Sequence, residues 1–184
     1  MDVTKINPHK DGIDHINIYS KGKTKVGKLL SNFALTPFTH KEHGYFNSVE
    51  GLWYYLLTGC KHEELREVYG FNAKKKGREL VNQEQWGVMD SNSIEFKKAI
   101  CEGIRQKLRE NKEILKMLCA TGNKPLLHYY VYESRKNFDE NGLPKYTIRE
   151  AGHPWVIQEI SLIREMSLNH INSKMQKFSL DITK

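Results

Sequence analysis

The chain has 184 residues, of which 39% are hydrophobic and 28% are charged, and it carries a formal net charge of +7. This length favours one domain with a substantial core, and the composition excludes an intrinsically disordered chain. No apolar run approaches the roughly 20 residues of a membrane-spanning helix, and the polar N-terminus lacks a signal-peptide pattern, so we expect a cytoplasmic protein with no membrane partner.

The positive charge has two interpretations. It favours encounters with polyanions or phosphate-bearing ligands, or it serves solubility alone. Part of the excess is clustered in residues 19–28 and 72–78. The three cysteines, Cys60, Cys101 and Cys119, lack metal-ligand spacing and are predicted to be buried free thiols.

The first half of the chain predicts short elements around one helix. Residues 13–19 are β-prone, residues 21–28 form a Gly/Lys turn, and residues 29–48 are loop-rich with short extended pieces. A helix is predicted from Ser48, whose hydroxyl can cap it, to Gly59, which suits a left-handed C-terminal position. A second helix is predicted over residues 62–71, and residues 77–86 are compatible with another.

The second half predicts a long helix, a strand and a closing helix. A seven-residue apolar repeat predicts a single helix over residues 93–122. Residues 128–132 are the best strand candidate, residues 138–144 form a turn, and the closing helix begins near Pro154. The fold class is therefore mainly α with a few short β-strands, in a single domain. We expect a lead over 1–28, the main domain over 29–166 and a tail over 167–184.

Glu50 interrupts an aromatic and aliphatic run, GYFNSVEGLWYYLLTG. In the first turn of a helix, a carboxylate is favoured by the helix dipole and needs no further role. Trp53 and Tyr54 follow at i+3 and i+4, however, so two rings share its face. A carboxylate set against rings is partly desolvated, which raises its pKa and suits it to acid–base chemistry. The spacing alone leaves both interpretations open.

Other polar residues also break the apolar pattern. Lys107 and Asn111 continue a helical stripe of apolar residues, so the Lys107 ammonium either snorkels to solvent or points into a cleft and binds an anion. Arg78 is either one more solvated charge or a bidentate phosphate ligand. Trp86 is most simply a core or lid residue. Residues His128 and His153 are expected to be structural, and no zinc or phosphate-loop motif is present.

Seven short pieces follow one another in a fixed order, namely LLSNF, SVEGLW, a lysine, a Gly-Arg pair, a tryptophan, KLREN and LCATG. Their order and spacing over residues 29–166 resemble the NADAR (YbiA-like) family, named for a proposed link to NAD and ADP-ribose. Known members are mainly helical N-glycosidases. They split a base-like amine from a phosphorylated ribose, either in riboflavin-precursor intermediates or in ADP-ribose attached to guanine of nucleic acid.

The resemblance implies a site centred on Glu50 as the catalytic base or electrostatic stabiliser of an oxocarbenium-like ribose. The substrate-binding residues that it implies are Asn32, Phe33, Trp53, Lys61, Arg78, Trp86 and Lys107. In these roles Asn32 orients a sugar hydroxyl, the tryptophans stack on ribose or base, and the cations hold phosphates. No metal and no cofactor are implied. The expected partners are an ADP-ribose-containing or other phosphorylated N-riboside, and nucleic acid that carries it.

The sequence departs from the family at three places. Gly51 stands where members usually carry histidine, and Ile100 stands where methionine is common. The carboxylate and Trp-Gly pair that follow the Thr-Gly of many members are missing after Gly122, so we predict that Trp155 replaces the missing tryptophan. Two alternatives to cleavage of ADP-ribosylated guanine therefore stay open. One is the same chemistry on riboflavin-pathway intermediates, and the other is a non-catalytic module that binds ADP-ribose or nucleic acid.

Overall fold

Six helices and three two-stranded sheets make up the part of the chain that the structure describes. The structure is a computed structural model and describes residues 5–84, 88–138, 140, 142 and 144–182. The helices are α1 Lys25–Leu30, α2 Val49–Leu57, α3 Gly70–Gln83, α4 Ile94–Glu110, α5 Lys112–Ala120 and α6 Pro154–Ile182. The strands are β1 Ile16–Asn17, β2 Phe38–His40, β3 Gly44–Phe46, β4 Leu126–Leu127, β5 Tyr129–Phe138 and β6 Pro144–Glu150. The prediction of a mainly α chain with a few short strands is confirmed.

The centre of the core lies where α2 packs against α4. Leu52 and Leu56 of α2 and Ile100 of α4 are fully buried. At Gly103 a Cβ atom would lie 2.5 Å from Leu52 Cδ2, so any side chain there would have to displace Leu52. Helix α2 is therefore enclosed by its neighbours, which explains why its sequence is apolar almost throughout.

The N-terminal lead and the C-terminal segments are joined through short sheets. β1 pairs in parallel with β4 in the register Ile16↔Leu126, and β5 pairs antiparallel with β6 in the register Tyr129↔Glu150. Helix α6 follows directly and begins at Pro154, as the sequence indicates. The predicted domain boundaries at 28/29 and 166/167 lie inside α1 and α6. Among the described residues, no helix combines the length and the apolar content needed to cross a membrane.

The prediction of one helix over residues 93–122 is wrong, because the chain breaks at Asn111. Its backbone has φ −100° and ψ 69°, which is not helical. The side-chain amide donates hydrogen bonds to the carbonyl of Lys107 at 2.8 Å and to that of Pro37 at 2.9 Å. A short amide side chain that bonds backbone carbonyls competes with the helical hydrogen-bond ladder. Apolar periodicity continues through this break and therefore could not reveal it.

The prediction of a helix over residues 62–71 is also wrong. Only Glu63–Leu65 form a short 3-10 turn, and α3 begins later, at Gly70. The carbonyls of Arg66 and Val68 accept hydrogen bonds from the Asn47 amide and the Ser48 hydroxyl. Carbonyls engaged in this way are not free to form helical bonds, so tertiary contacts override the helical propensity of this segment.

Three smaller features of the structure also differ from the sequence predictions. The predicted Gly/Lys turn over residues 21–28 ends inside helix α1, which Thr24 caps. Strand β6, at Pro144–Glu150, was not predicted. It pairs with β5, which contains most of the predicted strand over residues 128–132. The cysteines are free, as expected, but each is half-buried rather than buried.

Candidate functional site

A short loop, residues 31–33, fixes the start of the helix that carries Glu50. The Glu50 amide donates a hydrogen bond to the Asn32 carbonyl at 2.9 Å, and the Gly70 amide donates to the Phe33 carbonyl at 2.9 Å. Ser48 caps α2 by accepting a hydrogen bond from the Gly51 amide at 3.0 Å. The loop thus holds the N-termini of α2 and α3 together, and Glu50 emerges between them.

Lys107 lies beneath this loop and supports it. Its side chain is only 1% exposed, and its ammonium nitrogen donates to the Ser31 carbonyl at 2.9 Å. Burial lowers the pKa of Lys107 to about 7. The interpretation that this ammonium snorkels to solvent is therefore wrong. Lys107 is placed to position the loop that carries Asn32, and it is not exposed to a phosphate in solution.

The Glu50 carboxylate has an unusual environment. Although Glu50 keeps part of its surface accessible, burial among protein atoms raises its pKa to about 7, and the charges of Lys74 and Arg78 act in the opposite direction. Within the described residues no group donates a hydrogen bond to this carboxylate, and no cation lies within ion-pair distance of it. Its oxygens are therefore available to a water molecule or a ligand.

Helix α3 brings the two cations to Glu50, because it packs unusually closely on α2. At Gly77 a Cβ atom would lie 2.0 Å from Tyr54 Cγ, so only glycine fits against this ring. Burial and the charge of Glu50 raise the pKa of Tyr54, while neighbouring Arg78 lowers it. In the Gly-Arg pair singled out in the sequence, Gly77 thus allows the close packing of the helices and Arg78 places a positive charge at the site. The Lys74 ammonium lies 5.6 Å from the centre of the Phe33 ring.

A cluster of aromatic rings surrounds Trp53, one helical turn after Glu50. Trp53 lies parallel to Trp155, with ring centres 5.8 Å apart and an angle of 13° between the planes. The Trp53 ring also contacts Phe96 edge-on at 4.7 Å and His153 at 4.8 Å. Helix α2 and the first turn of α6 thus each contribute one indole. That Trp155 replaces the tryptophan missing after Gly122 stays a prediction.

The start of β5 contributes further rings. His128 contacts Tyr130 at 5.5 Å and Tyr19 at 6.2 Å between ring centres. Burial, aided by the charges of His153 and Lys74, lowers the pKa of His128 to about 4, so its imidazole is neutral at pH 7. Glu50 in turn contributes to the raised pKa of Tyr130, after burial and Tyr19. The charge of Glu50 therefore reaches the beginning of β5.

The outer face of α3 extends the site with a cationic groove. It has a volume of about 210 Å³ and is lined by Phe71, Lys74, Lys75, Arg78, Glu79 and Asn82. Phe71 is 71% exposed, so its ring faces the groove and solvent. Positive charge beside an exposed ring favours a ligand that carries phosphate and a flat apolar group.

The structure brings together most of the residues that the sequence singled out, but not all of them. Glu50, Phe33, Trp53, Arg78 and Trp155 surround one site, with Asn32 held to it through its carbonyl. Lys61 lies beyond the other end of α2 and pairs with Glu84 at 3.4 Å, with its side chain 58% exposed. Trp86 lies outside the described residues.

Four site residues were missed, namely Lys74, Tyr19, His128 and Tyr130. Lys74 stands in a run of lysines, and only its spacing of four residues before Arg78 could have separated it from its neighbours. The other three come from β-prone segments far apart in the chain, and their meeting depends on the pairing of β1 with β4. His128 and His153 were expected to be structural, and the structure places both at the edge of the site.

Gly51 has a direct structural explanation. A Cβ atom there would lie 2.4 Å from the carbonyl oxygen of Leu65, so α2 leaves no room for any side chain. The histidine that NADAR proteins usually carry after the glutamate therefore does not fit this chain.

The site combines a carboxylate that pairs with no described residue, two cations and stacked aromatic rings. Among the described residues, no group of three or more histidine, cysteine, aspartate or glutamate side chains is placed to hold a metal ion. Such a site is suited to acid–base chemistry on a ligand with a phosphate and flat rings. The chain matches no protein-family model, no curated protein and no solved structure.

Proposed function

We propose that the chain is an N-glycosidase of the NADAR type, which cleaves the bond between a phosphorylated, ADP-ribose-like ribose and a base or amine. The observation that carries the proposal is the Glu50 carboxylate, which is free of hydrogen bonds from the described residues and has a pKa of about 7. A carboxylate with this pKa is half ionised near neutral pH and can both accept and release a proton there. A glutamate that only stabilised the helix start would need neither a free carboxylate nor a raised pKa.

Hydrolysis requires a water molecule at the anomeric carbon and a leaving group that departs with a proton. In the proposed reaction Glu50 accepts a proton from water as the oxygen bonds to the anomeric carbon and the bond to nitrogen breaks. The departing nitrogen takes up the proton that Glu50 accepted, so the products are a free sugar hydroxyl and a neutral base or amine, and Glu50 is ionised again. Because the proton is only partly transferred in the transition state, Glu50 still carries negative charge there, and this charge stabilises the oxocarbenium character of the ribose.

The cations hold the charged part of this substrate. Lys74 and Arg78 lie close enough to Glu50 to lower its pKa, and both line the groove on α3. An arginine offers two parallel hydrogen bonds to a phosphate, and a lysine offers a compact charge. A phosphate in this groove therefore places the attached ribose next to the carboxylate. We assign Lys107, which is buried under the loop, a positioning role rather than a phosphate contact.

The parallel indoles of Trp53 and Trp155 supply the apolar wall against which the ribose or base is held. Rings that exclude water from one side of Glu50 also keep its pKa raised. Asn32 presents its backbone carbonyl to α2, which leaves its side-chain amide to orient a sugar hydroxyl.

The test compares the purified chain with Glu50→Gln and with Glu95→Gln. Glu95 is the matched control, because it is exposed and occupies the same place in α4, in the first turn after a capping serine. The substrates are ADP-ribosylated guanosine and a phosphorylated riboflavin-precursor N-glycoside, with products identified by mass. We expect Glu50→Gln to lose at least about 100-fold in rate and Glu95→Gln to match the wild type. Wild-type turnover by folded Glu50→Gln contradicts the mechanism.

A non-catalytic binding module is the second candidate, because the wall after residue 122 lacks the segment that many NADAR proteins carry. Thermal stabilisation of the wild type by ADP-ribose, without cleavage of either glycoside, would favour that candidate. In that case Lys74→Met and Arg78→Met would abolish the stabilisation, whereas Glu50→Gln would retain it.

A further inference from the structure

The paired region of the β5–β6 hairpin has its carboxylates on one face only. Side chains alternate between faces along a strand, and the register Tyr130↔Arg149 and Tyr132↔Thr147 fixes which residues share a face. Lys145 falls on the same face as Thr147 and Arg149 by this alternation. This face, which we call the aromatic face, therefore consists of Tyr130, Tyr132, Lys145, Thr147 and Arg149.

The opposite face has a different character. It carries Tyr129, which is fully buried, and Ile148, which is 9% exposed, so these two residues pack on the body of the protein, whereas Tyr146 is exposed. Both carboxylates within the two strands, Glu133 and Glu150, belong to this side, opposite Tyr146 and Tyr129 respectively. The aromatic face thus has two rings and two cations but no acidic residue.

The aromatic face begins at the site and leads away from it. The Tyr130 ring contacts Tyr19 edge-on at 5.1 Å and Tyr132 at 6.5 Å between ring centres. Tyr132 is 55% exposed, and Arg149, Thr147 and Lys145 are exposed as well. The charge of Glu50 contributes to the raised pKa of Tyr130, so the near end of this series of rings is within electrostatic range of the carboxylate.

We infer that the aromatic face binds single-stranded nucleic acid, with unpaired bases stacked on Tyr130 and Tyr132 and phosphates held by Lys145 and Arg149. Exposed rings interspersed with cations are the usual platform for single strands, since every base has a flat face and every nucleotide a negative charge. A basic or purely apolar partner does not match two cations without a carboxylate. The binding of single-stranded nucleic acid does not depend on the proposed function. Only the idea that the bound nucleic acid is presented to Glu50 for cleavage rests on it.

The experiment measures the affinity of a fluorescein-labelled single-stranded DNA of mixed sequence by anisotropy, with all variants made in the Glu50→Gln background to prevent turnover. Tyr132→Ala should weaken binding about tenfold. Tyr132→Phe, which keeps the ring, should bind like the parent and excludes a folding defect at this position. Tyr146→Ala is the matched control, because Tyr146 is exposed on the opposite face, and it should leave the affinity unchanged.

Two further measurements separate stacking from simple charge. Arg149→Gln should lower the slope of log affinity against log salt by about 0.7, whereas Arg109→Gln, an exposed arginine on α4, should affect it less. A duplex of the same sequence should bind more weakly than the single strand. Equal effects of Tyr132→Ala and Tyr146→Ala, or equal affinity for duplex and single strand, would overturn the inference.

The outcomes also distinguish this inference from the proposed function. Cleavage of free ADP-ribosylated guanosine together with Tyr132-independent DNA binding supports the enzyme and removes the stacking surface. Tyr132-dependent DNA binding by a protein that cleaves neither glycoside supports the surface and removes the enzyme.

Discussion

The ammonium of Lys107 donates a 2.9 Å hydrogen bond to the carbonyl of Ser31, 76 residues earlier in the chain. The next carbonyl, that of Asn32, accepts the amide of Glu50, and the next again, that of Phe33, accepts the amide of Gly70. One loop therefore connects α4 to the N-termini of both helices that form the candidate site. Burial of the Lys107 ammonium lowers the free energy of unfolding, and this loss can be measured.

Lys107→Met should stabilise the protein near neutral pH. The pKa of Lys107 falls from 10.5 to about 7 on folding, so between these values the unfolded chain holds a proton that the folded chain lacks, and wild-type stability rises with pH. We expect a gain of about 1–3 kcal/mol at pH 7, after the loss of one hydrogen bond, and a smaller gain at pH 10. Urea unfolding at both pH values measures it.

The Ser31 carbonyl keeps one partner in this variant, because it also accepts the Ala34 amide. Lys98→Met, at an exposed position on the same helix, is the control and should change little at either pH. If Lys107→Met shows the same gain at pH 7 and pH 10, its effect comes from packing and not from the buried ammonium.

Glu50→Gln should also stabilise the protein, but with the opposite pH dependence. The pKa of Glu50 rises from 4.5 to about 7 on folding, so between these values the folded chain holds the extra proton, and wild-type stability falls as pH rises. Replacement of the carboxylate should therefore add about 1–3 kcal/mol at pH 8 and almost nothing at pH 4. Thermal unfolding of both proteins across this range measures the difference.

Glu95→Gln is the control for this prediction as well, because it removes a carboxylate from the first turn of α4 without removing a buried charge. It should lose about 0.3–1 kcal/mol at most, from the helix dipole alone. A destabilising effect of Glu50→Gln at pH 8, like that of Glu95→Gln, would mean that the helix dipole outweighs burial at residue 50.

Local patterns predicted those features that depend on a few neighbouring residues. Ser48 caps α2, Pro154 begins α6, and Trp53 shares a face with Glu50, because each depends on spacing within one helix. The break at Asn111 was missed, since it depends on a hydrogen bond to Pro37, which is distant in sequence. Composition marked residues 72–78 as basic, but only the packing of α3 on α2 shows which cations reach Glu50.

Gly77→Ala should strongly destabilise the protein, although alanine is the better helix former by about 1 kcal/mol. The new Cβ atom would lie 2.0 Å from Tyr54 Cγ, in a ring that is itself buried between two helices. We expect a net loss of about 3 kcal/mol or more, measured by urea unfolding. Gly152→Ala, where a Cβ atom meets nothing within 4 Å, should be nearly neutral.

A second substitution identifies the cause of that loss. In a Tyr54→Ala background, Gly77→Ala should cost much less than in the wild type, because the ring that the Cβ atom meets is gone. If the cost of Gly77→Ala is the same in both backgrounds, the clash with Tyr54 does not explain why glycine precedes Arg78.

Lys74→Met should raise the pKa of Glu50 above its value of about 7. Burial raises the pKa of this carboxylate, and the charge of Lys74 is the larger of the two effects that lower it. Removal of this charge disfavours the ionised form. A carbon-13 NMR titration of the glutamate side chains measures this directly, with Glu50→Gln identifying the signal. If the chain cleaves a glycoside, the acidic limb of its pH–rate profile should move to higher pH with the same variant.

Lys75→Met is the matched control on the exposed side of the same helix, and it should leave the titration of Glu50 unchanged. An equal shift in both variants would show that Glu50 responds to the general charge of α3 and not to a cation placed at the site.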